Sequence, residues 1–464
     1  MSSALNYQAG PANIGEISLS LPKGCELWEI DTSFVETQWL LLTPGNKKFH
    51  VSAKASDVLS EIVEEQKSLA EIASNLSERW KTEVSPQDVL SIIDSAQWPR
   101  NLIRKLAPWE EAQVLEETSE ERRDSRKSSV SEFFFRIDVV PARAVYWLVT
   151  HLRGLYGGSV FAAAAVVIAL VQVAVFRQVS SASSWAEFLH VTPAGYVAVF
   201  GLVTLSVIFH ELGHATATAR YGVKPGAIGF GIYFIYPALY TELGFAWLLP
   251  RARRAVIDVG GFYFQLLASV PLYAAFALTG DKSYVLAIIV NDFLILFSLF
   301  PFFKFDGYWL LSDLLGVPNL QKRAAEVLRS PLAVIRSPFF KTQGGLSLPR
   351  KVALALMVYG ALFKLFRVFF AYMILRNGPS LLWHAPSRMA AMAESIVAFV
   401  ARGEYAAAVQ QGIWAFGLVV TVVALVLIFR AYARWLWGFV KKLRPFDGAS
   451  GRGSEVLNER SINP

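Results

Sequence analysis

Six runs of about twenty apolar residues, near 155–176, 190–209, 255–278, 284–303, 352–375 and 411–432, constrain this chain more than any other feature. Each is long enough to cross roughly 30 Å of hydrocarbon as a helix, and a segment in lipid must satisfy its own backbone polar groups. The expected fold class is therefore a polytopic α-helical membrane protein with about six transmembrane helices. Composition agrees, since 54% of the residues are hydrophobic and the mean hydropathy is +0.40, too apolar for a soluble globular chain. The single cysteine, Cys25, excludes a disulfide framework. The first 22 residues lack the apolar core of a secretory signal.

A net charge of +7 raises the question of nucleic acid, but its distribution answers differently. Loop 220–254 holds Arg220, Lys224, Arg251, Arg253 and Arg254, loop 315–351 holds seven Lys and Arg residues, and the tail adds Arg434, Lys441, Lys442 and Arg444. The intervening loops 177–189 and 279–283 carry one basic residue each, Arg177 and Lys282, and loop 376–410 carries Arg376, Arg388 and Arg402 against Glu394 and Glu404. Basic loops stay in the cytoplasm, so both termini are predicted to be cytoplasmic.

Before the spans, after an N-terminal extension over 1–24, residues 25–103 read as a small winged-helix-like α+β cytoplasmic domain. "ELWEI", "TQWLLLTP" and "KKFHVS" are short strands, and three amphipathic segments come next, the second with Leu69, Ile72, Ala73 and Leu76 on one face and the third opened by Ser85 and Pro86. The third helix carries Asp88 and Asp94 and no Lys or Arg within 86–97. Phosphate contacts need basic side chains, so no nucleic acid is expected. The stretch "FHVSAKASDVLSEIVEEQKSLAEIASNLSERW" resembles the PqqD-like peptide-recognition domain. That resemblance implies capture of a leader peptide as an added strand beside "KKFHVS" and the last helix; a packing module that binds nothing is the alternative. Residues 104–154 form a charged linker and then "FFFRIDVVPARAVYWLVTHLRG", expected to lie as a helix on the inner membrane surface. The six-span domain covers 155–435 and a basic cytoplasmic tail 436–464.

Within the second span stands "FHELGHATATARYG". The chain has six histidines, and His210 and His214 are four apart, which puts both imidazoles on one helix face within reach of one Zn2+. Glu211 lies beside them, free to act on water. The alternative is a pair of core histidines hydrogen-bonded inside a bundle, but ionisable groups within a membrane are costly and usually functional.

A third ligand is required, and Asp306 in "FSLFPFFKFDGYWLLSDLLG" is the leading candidate. The second and fourth spans run in the same direction; His210 lies 20 residues beyond His190 and Asp306 22 beyond Tyr284, a depth difference of about 3 Å. Pro301 and Gly307 permit a break that turns the carboxylate inward. Asp258, Glu242, Asp292 and Asp313 are the rival acids. Asp292, about 21 Å from Asp306 along a straight helix, reads as a structural or pore-lining acid pairing with Lys364 or Arg367.

"HELGHATATARYG" followed by "FPFFKFDGYW" resembles the site-2 protease family of intramembrane zinc metallopeptidases, in particular its bacterial branch associated with secreted peptides. The resemblance covers roughly 190–375. It implies Zn2+ held by His210, His214 and Asp306, Glu211 as general base, and a place in the bacterial inner membrane. Three residues before Pro301 the family pattern has Asn and this chain has Ser298; Ser298, Asn291 and Gly307 are the candidate substrate-binding residues. The segment 226–247, with Gly229, Gly231 and Pro237 among aromatic and β-branched residues, suits a re-entrant β-hairpin whose edge holds an extended substrate, with a packing loop or seventh irregular span as the alternative. Expected partners are the lipid bilayer, a peptide or single-pass membrane protein substrate and, as a candidate, a secretion apparatus. The rival function is a peptide-export or immunity component that binds peptide without cleaving it.

Overall fold

The computed structural model describes residues 17–443 apart from 23, 44–47, 64–65, 96–102, 107–132, 182–185, 234–235, 244–245 and 344. The first 16 residues of the expected extension, most of the charged linker and the tail from 444 lie outside the described residues. The chain forms two compact units, Met1–Val368 and Phe369–Pro464.

In the first unit, strand β1 (Ser18–Ser20) begins a mixed α/β region in which β2 (Glu26–Ile30), β3 (Gln38–Leu42) and β4 (Lys48–Val51) form an antiparallel sheet in that order. Helices α1 (Ala53–Ile62), α2 (Leu69–Trp80) and α3 (Pro86–Ser95) stand at the expected places. Each begins at a serine. Ser52 accepts from Ala55 N, Ser68 and Glu71 form a capping box, and Ser85 and Asp88 bond reciprocally at 3.2 and 2.9 Å, so orphan N–H groups of the first turns are satisfied. Leu69, Ile72, Ala73 and Leu76 are all buried, in one core with Val58, Leu59 and Val89. That core also takes in Leu19 and Ile103. Leu19 enters because β1 pairs with β5 (Lys67–Ser68) and β6 (Arg104–Leu106) in a second small sheet.

The segment expected as a surface helix divides in two. Phe133–Val140 is a strand, β7, and only Ala142–Leu152 is helical, α4. Its aromatic and β-branched residues favour the extended chain; Pro141, extended itself, then precedes the first turn of the helix. Helix α4 turns Val145 and Val149 inward and exposes Tyr146, Trp147 and Leu148. Strand β7 pairs with β8 (Ile228–Tyr233), which pairs with β9 (Tyr236–Thr241), so the expected hairpin is the larger part of a three-stranded antiparallel sheet with β9 at one edge.

Among the described residues five helices are long and apolar enough to cross a membrane: α5 (Gly158–Ser181), α6 (Pro193–Arg220), α7 (Arg251–Thr279), α12 (Arg350–Ala401) and the Tyr405–Arg430 part of α13 (Tyr405–Leu443). They make this a polytopic membrane protein by length and composition. The expected fourth span is shorter than a full crossing. Helix α8 (Lys282–Ser298) has 17 residues, about 25 Å at 1.5 Å per residue. It stops before Pro301, which has no N–H to continue the ladder, and the chain resumes as α9 (Asp306–Leu315). Shorter elements come after it, α10 (Leu320–Arg329), α11 (Pro331–Arg336) and the pair β10 (Phe339–Lys341) and β11 (Ser347–Pro349). The loop expected over 376–410 is instead helical as far as Ala401, with Pro379 and Pro386 inside α12. Its Leu, Met and Ala residues are strong helix formers, a preference masked in the apolar pattern by Arg388 and Glu394.

The loop between β2 and β3 reaches the helices that carry the site. Arg254 donates to Asp31 O at 3.2 Å, Ser33 N donates to Gly316 O at 2.8 Å, and Phe34 packs with Tyr308 and Val317.

Candidate metal centre

Helix α6 starts at Thr192, whose side chain accepts from Gly195 N, with Pro193 in the first turn. Its last third is buried on every side: residues 210 through 218 have no exposed member. Such complete burial needs close neighbours, and small residues provide them. Gly213 faces the backbone of α7, where an added Cβ would collide with Gly260 O, and Gly261 faces the two histidines, where an added Cβ would stand 2.5 Å from His214 Nε2 and 2.6 Å from His210 Nε2. Only glycine admits α7 this close to the imidazoles.

Three side chains converge there. His210 Nε2 lies 2.9 Å from Asp306 Oδ2 and 3.0 Å from His214 Nε2, and His214 Nε2 lies 3.5 Å from Asp306 Oδ1. One ligand atom from each residue falls within 4.8 Å of the others, so the three could hold a metal ion. Glu242, Asp258, Asp292 and Asp313 are not in this group.

The outer ring nitrogens decide which way the inner ones face. His214 Nδ1 donates to Ile257 O at 2.8 Å, and His210 Nδ1 pairs with Gln265 Oε1 at 2.9 Å. A carbonyl oxygen only accepts, so both rings carry a proton on Nδ1 and turn Nε2 inward, towards Asp306. Two Nε2 atoms and a carboxylate this close need positive charge among them, from a proton or a metal ion, and as ligands the donor set suits zinc. The outer partners belong to α7, an arrangement that orients metal-binding histidines and tunes their basicity.

Asp306 is the first residue of α9, where helix N-termini favour negative charge. Ser298 Oγ donates to Asp306 Oδ2 at 3.0 Å. The turn bringing α9 back onto the end of α8 is tight enough that a Cβ on Gly307 would collide with Leu299 O. Asp306 therefore reaches the histidines through a broken helix and a reversal, not by position along one straight span.

Glu211 is buried and lies outside the converging group. Thr241 Oγ1 donates to its Oε2 at 2.7 Å and stands 2.9 Å from its backbone oxygen. Asn291 is engaged elsewhere: Ser206 Oγ donates to its Oδ1 at 2.6 Å, and its Nδ2 donates to Gln265 O at 3.1 Å. Asp292 accepts from Gln172 Nε2 at 3.2 Å, not from Lys364 or Arg367; Arg367 instead lies over the Phe363 ring. Asp313 pairs with Arg254 at 2.8 Å.

Gln265, Thr241 and Gly261 were not singled out from the sequence. Gln265 and the Gly260–Gly261 pair did carry a signal, since a polar side chain and adjacent small residues within an apolar span mark helix contacts. Thr241 carried none. Comparison of the chain with known protein families, with curated proteins and with solved structures finds no match.

Proposed function

We propose that this protein is an intramembrane zinc endopeptidase of the site-2 protease type, set in the bacterial inner membrane with both termini in the cytoplasm. It hydrolyses a peptide bond in a precursor peptide or a single-pass membrane protein. The observation that carries the reading is the convergence of His210, His214 and Asp306 with both Nε2 atoms turned inward, beside a buried carboxylate that takes no part in the group. His210, His214 and Asp306 would hold Zn2+, which when bound supplies Lewis acidity to a peptide carbonyl and lowers the pKa of water towards about 7.

Glu211 takes the proton of the attacking water and hands it to the leaving amine. Ser298 steadies Asp306 through the 3.0 Å bond and stands where the family has the Asn that contacts substrate, while Asn291, held by Ser206 and Gln265, takes no part in binding it. A substrate helix hides its carbonyls in internal hydrogen bonds, so the scissile segment must unwind before attack. The edge of β9 offers an extended segment a strand to pair with. The N-terminal α/β region captures the leader or substrate tail in the manner of PqqD-like domains.

The test is processing of a candidate precursor in proteoliposomes by the wild-type protein and by Glu211→Gln, with zinc content measured in both. Cleavage lost in the variant while zinc is retained supports the reading. Equal processing, or none in either, discards it in favour of a component that binds peptide without cleaving it.

A further inference from the structure

Resting on the peptidase reading, we propose that Thr241 is the positioning residue for Glu211. Its hydroxyl holds one carboxylate oxygen and leaves the other to receive the proton from water. Glu211 is 8% exposed, and a buried carboxylate requires donors. Among the described residues its carboxylate takes its hydrogen bond from Thr241, at 2.7 Å to Oε2. The same hydroxyl stands 2.9 Å from Glu211 O, so it fixes the carboxylate against its own helix as well as orienting it. A free glutamate side chain samples many rotamers and loses that freedom on being ordered; one donor on a rigid element removes the disorder before substrate arrives.

The element is rigid where it matters. Thr241 is the last residue of β9, opposite buried Ile228. The pairing continues past it, with Glu242 N donating to Ala227 O at 3.0 Å and Gly226 N to Glu242 O at 2.7 Å. Backbone bonds on both sides thus hold the hydroxyl in place. With Oε2 held by Thr241, Oε1 is assigned as the oxygen that takes the proton as the C–O bond forms, and that gives it to the amine nitrogen as the C–N bond breaks. Threonine neither gains nor loses a proton overall. The strand that orients the base is also the sheet edge on which an extended peptide would add, so seating the substrate and aiming Glu211 share one strand.

The experiment compares the full-length, zinc-loaded protein with Thr241→Val, which keeps the shape and removes the hydroxyl, and with Thr241→Ser, which keeps the hydroxyl. Three quantities are read: kcat and KM on a precursor peptide, zinc content, and the affinity for a peptide hydroxamate, whose acidic proton passes to the glutamate on binding without turnover. Thr241→Val is expected to lower kcat by about 10- to 100-fold with KM within about twofold, the pattern of an interaction made in the transition state. Zinc stays bound, hydroxamate affinity falls by about tenfold, and Thr241→Ser recovers most of both losses. Wild-type kcat and hydroxamate affinity in Thr241→Val, or a serine variant as impaired as the valine one, overturns the proposal. If the wild-type protein cleaves nothing, the peptidase reading fails separately. The hydroxamate then decides alone: weaker binding in Thr241→Val upholds the positioning role, and equal binding removes it.

Discussion

Arg254 on α7 and Asp313 on α9 form a buried ion pair at 2.8 Å, which ties the helix supporting both histidines to the helix that begins at Asp306. Arg254 also donates to Leu249 O and to Asp31 O, at 2.9 and 3.2 Å. One guanidinium thus joins α7, α9 and the loop of the N-terminal region. Removing it leaves the Asp313 carboxylate buried beside carbonyls that have lost their donor. Arg254→Ala is expected to cost about 3–5 kcal/mol, read as a lower unfolding temperature in detergent. Replacing both partners with apolar residues should recover part of that loss, because a buried pair contributes little net stability over an apolar substitute.

Gly261→Ala tests the close approach of α7. Its Cβ would come within 2.6 Å of both Nε2 atoms, so the helix must retreat or the rings must turn. Zinc content after dialysis should fall well below that of wild type. A variant that binds zinc normally would show that the imidazoles can turn without losing the site.

Gln265→Leu removes the partner of His210 Nδ1 while keeping an apolar side chain of similar size. Zinc affinity should drop about 10- to 100-fold, the usual cost of losing such a support, as measured by competition with a chromophoric chelator. An unchanged affinity would assign the orientation of His210 to packing alone.

Glu61 in the N-terminal region carries a pH prediction. Burial alone would raise its pKa, but hydrogen bonds from Lys67 at 2.9 Å and Asn75 at 2.8 Å hold it below the ordinary glutamate value. A group lowered on folding stabilises the protein above its unfolded pKa, near 4.3, and loses that contribution as pH falls through the folded value. Glu61→Gln is therefore expected to cost about 1 kcal/mol at neutral pH. The gap to wild type should close as the pH is taken below 4, which thermal unfolding of the N-terminal region at several pH values measures.

The site was legible where chemistry and local period coincide. The spacing of His210 and His214 puts both rings on one face of any helix, and Asp306 stood among several acids as the leading candidate to join them. A straight fourth span would bring Asp306 to the depth of His210, but α8 ends at Ser298 and the carboxylate returns on a new helix. Strand β7 was missed for a similar reason. "FFFRIDVV" has the composition of a strand, but its pairing partner lies some ninety residues away in sequence, in β8, and a local reading merges such a segment with the helix that adjoins it, α4.

From its sequence alone this protein is a polytopic helical chain with an α/β region before the spans, two imidazoles on one helix face, and an acid beside them. Those features depend on periods of 2 and 3.6 residues and on the length of apolar runs, which are properties of a segment taken singly. Only the tertiary structure decided that Asp306, and not Asp258 or Asp313, meets the histidines, that Gln265 and Ile257 hold their Nδ1 atoms, and that Thr241 holds Glu211. Each of these contacts joins residues at least 30 positions apart, and those of Gln265 and Ile257 form where Gly213 and Gly261 let α6 and α7 approach. Distance in sequence carries no trace of that approach.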